Sequence, residues 1–285
     1  MLTEAPQLPQ GWQAELQLRF ARDGEKTALV ERRHFGPLRV QRPFHPEGPG
    51  VCHVYLLHPP GGLVSGDTLE IRACVEAGAH ALLTTPAAAK LYRSRPAAGP
   101  ARQAQRFEVQ DSGVLEWLPQ ETIAFRGARA ELATQVSLSA AARFIGWDIV
   151  CLGRPAAGER FDVGALSPSI ELTRAGRIVY VERGQYAGGQ PVLDAAWGLG
   201  GQPVSGSLLC AAPAARGCVE IARAALAERL GDSARAAVSG WDDLLVARYL
   251  GPSAEEARGV FSAIWSAIRP KVLGLPASVP RIWHT

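Results

Sequence analysis

The chain has 285 residues, 47% of them hydrophobic, enough to bury the core of one large domain or two modest ones. A net charge of +3 with no Lys/Arg-rich patch argues against nucleic-acid binding. Cys52, Cys74, Cys151, Cys210 and Cys218 are odd in number and scattered without a C-x-x-C, which argues against a disulfide framework and a zinc site and fits a reducing cytosol.

Met1 to Phe20 lacks a basic start followed by an apolar core, so no signal peptide is expected there. Next comes Leu57-His58-Pro59-Pro60-Gly61-Gly62-Leu63-Val64-Ser65-Gly66-Asp67-Thr68, which nearly spells a phosphate-binding loop. Asp67 stands where the loop lysine belongs, and a carboxylate there would repel phosphates. The glycines therefore read as turn formers, with Asp67 a free carboxylate at the end of a rigid loop. Cys52, His53 and His58 form the densest metal-type cluster, but adjacent strand residues point to opposite faces, so Cys52 and His53 do not easily share an ion.

Up to about residue 210 the chain reads as short strands between Gly and Pro turns. Gly78-Ala79-His80 and Ser112-Gly113 are turns feeding strands. Phe107 and Val109 alternate. Leu115, Trp117 and Pro119 point one way, Glu116 and Leu118 the other. Leu132, Thr134, Val136 and Leu138 share a face, and Ile178 to Val181 is a further strand. The uncharged run Ala195 to Ala215 is broken by glycines and Pro203, so it is not a membrane span. Two helices are expected late. One covers about Cys218 to Leu230 with Gly231 as the residue closing it. The other starts at Ser253 with Glu256 as a capping box, carries the stripe Ala257, Val260, Phe261, Ile264 and Ile268, and stops at Pro270. Strands and helices do not alternate, which argues against a doubly wound α/β fold.

No histidine pair has zincin spacing, and neither Ser65 nor Ser205 lies in a nucleophile elbow, so a hydrolase has no motif behind it. Asp67, Glu116, Glu121, Asp148 and Glu159 lie in apolar or Gly/Pro-rich surroundings. Such acids are candidates for a raised pKa or for binding a hard or borderline cation, the bland reading being that each pairs with an arginine such as Arg93, Arg126 or Arg154. Thr84 and Thr85 offer hydroxyls close to Lys90, Tyr92 and Arg93, or simply serve strand and turn.

Taken in order, these segments resemble one family. His58 to Gly62 with Gly66-Asp67, Leu83 to Ser94, Glu116-Trp117-Leu118-Pro119-Gln120-Glu121-Thr122-Ile123, Gly146-Trp147-Asp148 with Leu152 to Pro155, Arg248 to Gly251 and Pro280 to Trp283 are similar to the blocks of the urease accessory protein D family, called H in some bacteria. The resemblance spans about residues 12 to 285. It implies a cytoplasmic maturation factor, not an enzyme, in a single domain over 1–285, with a β body over about 12–210 and a helix-containing part over about 211–285. The implied fold is mainly β, a right-handed β-helical stack of strands with two C-terminal helices. Implied partners are accessory proteins F and G and the urease apoprotein, with GTP bound by the G partner and neither nucleic acid nor membrane involved. No tightly bound cofactor is implied. Ni²⁺ is expected in transit through an internal passage, for which weak, spaced oxygen ligands suit release better than thiolates or imidazoles. Asp67, Thr84, Thr85, Glu116, Glu121, Asp148 and Glu159 are the candidate passage residues. Two other readings stay open: a pure scaffold docking through the late helices at Phe261 and Trp265, or an enzyme built on Glu116 and Glu121. Trp265 serves equally well as ordinary core.

Overall fold

The computed structural model describes residues 11–95 and 99–284. Residues 1–10, the first half of the stretch read above for a leader, lie outside the described residues, as does Thr285. The fold is mainly β, with two α-helices late in the chain. It opens with an antiparallel ribbon, β1 (Gln13–Asp23) and β2 (Lys26–Phe35). Strand β1 buries Ala14, Leu16, Leu18 and Phe20, every second residue, as a half-buried strand must. The short β3 (Arg39–Val40) leads into β4 (Cys52–Leu57).

From β4 onward the chain alternates between two sheets. The first sheet receives β5 (Thr68–Val75), and the second receives β6 (His80–Thr84) and then β7 (Ala89–Leu91). The pattern repeats with β8 (Ala101–Val109), then β9 (Val114–Leu118) and β10 (Thr122–Ala124). It continues with β11 (Arg129–Leu138), β12 (Arg143–Leu152) and β13 (Ala165–Arg174). Strands β1, β5, β8, β11 and β13 pair parallel in that order, and so do β4, β6, β9 and β12. The hairpin strand β14 (Arg177–Arg183) and the short β15 (Tyr186–Ala187) finish the first sheet. Strands β16 (Val204–Ala211), β17 (Arg235–Trp241) and β18 (Leu244–Gly251) extend the second by antiparallel pairing. Two strands thus lie beyond residue 210, in the part expected to contain the helices.

The helices are α1 (Val219–Ala227) and α2 (Ala254–Leu273). Two apolar layers result. Between the sheets lie Phe20, Leu83, Leu115, Trp117 and Val136. Between the second sheet and the helices lie Leu82, Leu118, Trp147, Phe261 and Trp265. Strand β9 shows why the division falls there: Leu115 and Trp117 face one layer, Leu118 the other, by strand parity. No described helix is long and apolar enough to cross a membrane.

Three helix expectations need correction. Helix α1 ends at Ala227, and Gly231 does not close it. Its backbone N–H donates instead to Glu256 Oε1 at 2.6 Å. Ser253 Oγ does accept from the Glu256 N–H, but the Glu256 carboxylate accepts from Gly231 and Tyr249, so the return half of the capping box is not made. Pro270 does not stop α2. It removes one helical donor, yet the last turn persists because Val272 packs into the second layer. Gly274, at φ 74°, then closes the helix by donating to the Pro270 carbonyl. Phe261 and Trp265 are fully buried, so neither belongs to a docking surface.

Candidate functional site

The loop at Gly61 to Asp67 turns its backbone donors inward. Leu63 N–H donates to Lys90 O at 2.8 Å and Gly66 N–H to Gly99 O at 3.0 Å. Asp67 accepts from the Trp12 and Val64 N–H groups, both at 2.8 Å, and is buried. Its carboxylate fastens the turn. Gly11 approaches Gly66 so closely that a Cβ on Gly11 would sit 2.1 Å from the Gly66 carbonyl carbon, so this contact needs glycine.

Glu116 lies on the other face of the second sheet, beneath α2. Its Oε1 meets His80 Nε2 at 2.7 Å, its Oε2 accepts from Trp265 Nε1 at 2.6 Å, and Arg269 donates to both oxygens. Arg269 continues to Glu47 at 2.6 and 3.0 Å, and Glu47 contacts His53 Nε2 at 2.6 Å. Glu116 and Arg269 are wholly excluded from solvent. Burial pushes the Glu116 carboxyl up, but His80 and Arg269 overcome it and hold the group at about 2. Glu47 is also lowered: burial opposes the shift, and bonds to His53 and Arg269 outweigh it. A carboxylate with a depressed pKa stabilises the fold above its unfolded value and loses that contribution as pH falls through its folded value. Stability is therefore expected to fall between about pH 5 and pH 2 as Glu116 and Glu47 take up protons. Urea midpoints taken at unit pH steps would check this, and a flat profile over that window would contradict it.

Between the sheets three cavities adjoin. One of about 160 Å³ is lined by His58, Thr85, Gln105, Thr122, Thr134 and Asp148 among others. A gap of about 10 Å³, close to one water, is bordered by Trp117, Thr134, Asp148 and Ser207. The third, about 330 Å³, is lined by Asp148, Glu182, Tyr186, Ser205, Ser207 and Arg248 among others. Asp148 borders all three. It lies deep in the fold yet keeps some surface open to a water-sized sphere, because cavity surrounds it. Burial, and then the charge of Glu182, push its carboxyl up to about 6, while a hydrogen bond with the Ile149 backbone pulls the other way.

Of the seven residues singled out from sequence, Thr85 and Asp148 face these cavities. The others are engaged elsewhere. Thr84 Oγ1 donates to Leu118 O and accepts from Trp283 Nε1 at 2.9 Å. Glu121 pairs with Arg258 at 2.9 Å, and Glu159 with Arg154 at 2.6 Å. Thr85, although it faces the 160 Å³ cavity, also accepts from the Gln120 N–H through its Oγ1 at 2.9 Å. Among the described residues no three His, Cys, Asp or Glu side chains lie together as a metal site. Sequence reading missed Gln105, Ser207 and Glu182. Gln105 carried a signal, since it shares the parity of Phe107 and Val109 and so points a polar group into an apolar layer. Glu182 and Ser207 come together only through the meeting of two sheets.

A family model described as UreD urease accessory protein matches residues 13–284. The chain is 48% identical to a urease accessory protein UreD of Dechloromonas aromatica, covering 98% of this chain and 97% of that one. It is 46% identical to one of an Azoarcus species, covering 96% and 95%. It is 48% identical to one of Pseudomonas putida, covering 96% and 95%.

Proposed function

The chain belongs to the UreD urease accessory protein family, a family of accessory proteins and not of enzymes, and from that premise we propose that it serves urease maturation by passing Ni²⁺ through its interior. The observation that carries the reading is Asp148, shared by three cavities that adjoin between the sheets. The carboxylate of Asp148, the hydroxyls of Thr85, Thr134 and Ser207 and the amide oxygen of Gln105 are oxygen donors from which Ni²⁺ exchanges readily, with the His58 imidazole a nitrogen donor on the same wall. We assign passage roles to Thr85 and Asp148. The lone pairs of Asp67, Glu116, Glu121 and Glu159 are directed to protein donors, and Thr84 serves the packing of Trp283.

The proposed setting is the cytoplasm, in a complex with accessory proteins F and G and apo-urease, where G hydrolyses GTP. The inward-turned donors of the Gly61–Asp67 loop agree with nucleotide binding by a partner. The alternation of the chain between two parallel ladders supports reading the β body as a helical stack, right-handed by the general preference of parallel crossovers.

The test is to plug the passage. Thr134 borders both the 160 Å³ cavity and the narrow gap, and Thr134→Phe fills the latter. Co-expressed with urease, this variant is expected to cut urease nickel content several-fold while still pulling down urease and the accessory partners. Wild-type nickel content with a plugged gap would make the chain a scaffold. Fully nickel-loaded urease made without the chain, at ordinary nickel levels, would remove the maturation role altogether.

A further inference from the structure

The 330 Å³ cavity opens at a rim whose chemistry contradicts a simple cation exit. Asp148, Ser207 and Arg248 form one row across β12, β16 and β18, so all three point to the same side of the second sheet. Glu182, on β14 of the first sheet, reaches into that row: Ser207 Oγ donates to both its carboxylate oxygens, at 3.0 and 2.9 Å. Tyr180 donates its hydroxyl to Glu182 Oε2 as well. Arg248 Nη2 then donates to the Tyr180 oxygen at 3.0 Å and lies 3.5 Å from Glu182 Oε2. Arg235 also lines this cavity. A row that begins with a carboxylate and ends in a guanidinium places a positive charge at one end of this cavity.

We infer that Arg248 is an exchangeable stopper: seated against Glu182 and Tyr180, it keeps a divalent cation from lodging at the rim of the free chain. The inference rests on the passage reading above and concerns one end of it. Without a stopper, Glu182 and Ser207 in the same cavity as Asp148 form an oxygen-rich corner that would retain a cation. With Arg248 in place the acidic charge is already answered, and a second cation on the same carboxylate meets like-charge repulsion. The Arg248 side chain is 60% exposed, so it is held by two contacts at an open rim and not by packing. A pair so exposed contributes little to stability, so the effect of its loss is read in cation binding and not in the melt.

The experiment is equilibrium dialysis of the full chain against Ni²⁺ at low salt. Arg248→Gln is expected to bind Ni²⁺ about tenfold more tightly than wild type, the loss of one nearby like charge. Arg248→Gln combined with Glu182→Gln should lose that gain, and Arg248→Lys, which keeps the charge, should bind as wild type does. Thermal melts of each variant establish that all are folded. Unchanged affinity in Arg248→Gln, a gain that survives Glu182→Gln, or equal tightening by Arg248→Lys would each overturn the stopper. The passage itself is tested separately by Thr134→Phe. Normal nickel delivery in that variant alongside tighter binding in Arg248→Gln would leave the rim as a metal site and remove the passage. Blocked delivery with unchanged binding would do the reverse.

Discussion

Arg269→Met is expected to destabilise the chain by about 3–5 kcal/mol, the cost of leaving buried carboxylates without their counter-charge. Arg269 is wholly buried and donates to both Glu116 and Glu47. Its removal strands Glu116, which has no solvent exposure, with only His80 and Trp265 as partners. The Glu116 carboxyl would then titrate higher than in wild type, because His80 is left as the one charged partner that offsets its burial. Arg269→Met, Glu116→Leu and Glu47→Leu together should recover part of the loss, since the stranded charge is gone but Trp265 Nε1, His80 and His53 lose their carboxylate partners. Urea denaturation of the single and triple variants checks both statements. A single variant within about 1 kcal/mol of wild type would mean that water reaches the network.

Asp148→Asn should have the opposite character, stabilising the fold while damaging its function. The folded carboxyl titrates near 6, above its ordinary value of 3.8, so folding is penalised by the buried charge. The penalty is absent when the group is protonated in both states, appears as pH rises through about 4, and is complete above about 6. The neutral amide of the variant carries no such penalty. The variant should therefore melt higher than wild type at about pH 7.5, with the difference closing by about pH 4. In the same variant the charge that attracts Ni²⁺ at the junction of the three cavities is lost, and urease nickel content is expected to fall about tenfold or more. Stability gained at the expense of function is the pattern of a site held for activity. An Asp148→Asn chain that matures urease normally would show that this carboxylate does not handle the metal.

The strand content was legible because alternation is a local signal. Leu132 to Leu138, and Leu115 with Trp117, sort to the faces that parity assigns them. The late helices were legible from their stripes, and so were their starts at Cys218 and Ser253, but their C-terminal ends were not, since Val272 packing carries α2 past Pro270 and Gly231 is engaged by Glu256. The same limit applies to the site. Asp148 stood out as a carboxylate in an apolar strand, and so did Glu116, yet nothing local tells them apart. One faces a cavity and the other an arginine 153 residues away. Both are inward-facing acids, and only the pairing of sheet with sheet, or sheet with helix, decides which stays available. The bland expectation held for Glu116, Glu121 and Glu159, with Arg154 correctly among the expected partners of Glu159 but Arg269 and Arg258 unforeseen.

The network beneath α2 also has a consequence for how the protein is made. Arg269 meets a carboxylate 153 residues earlier and another 222 residues earlier in the chain. On the ribosome, strands β4 to β12 therefore emerge and begin to pair long before the cation that neutralises Glu116 exists. Until the last helix is released, Glu116 has to stay wet, and the face of the second sheet that α2 covers has to stay open. The growing chain thus carries an apolar surface from the emergence of these strands until α2 is released. A chain cut short before residue 269 would retain that open face, which makes it a natural substrate for cellular quality control.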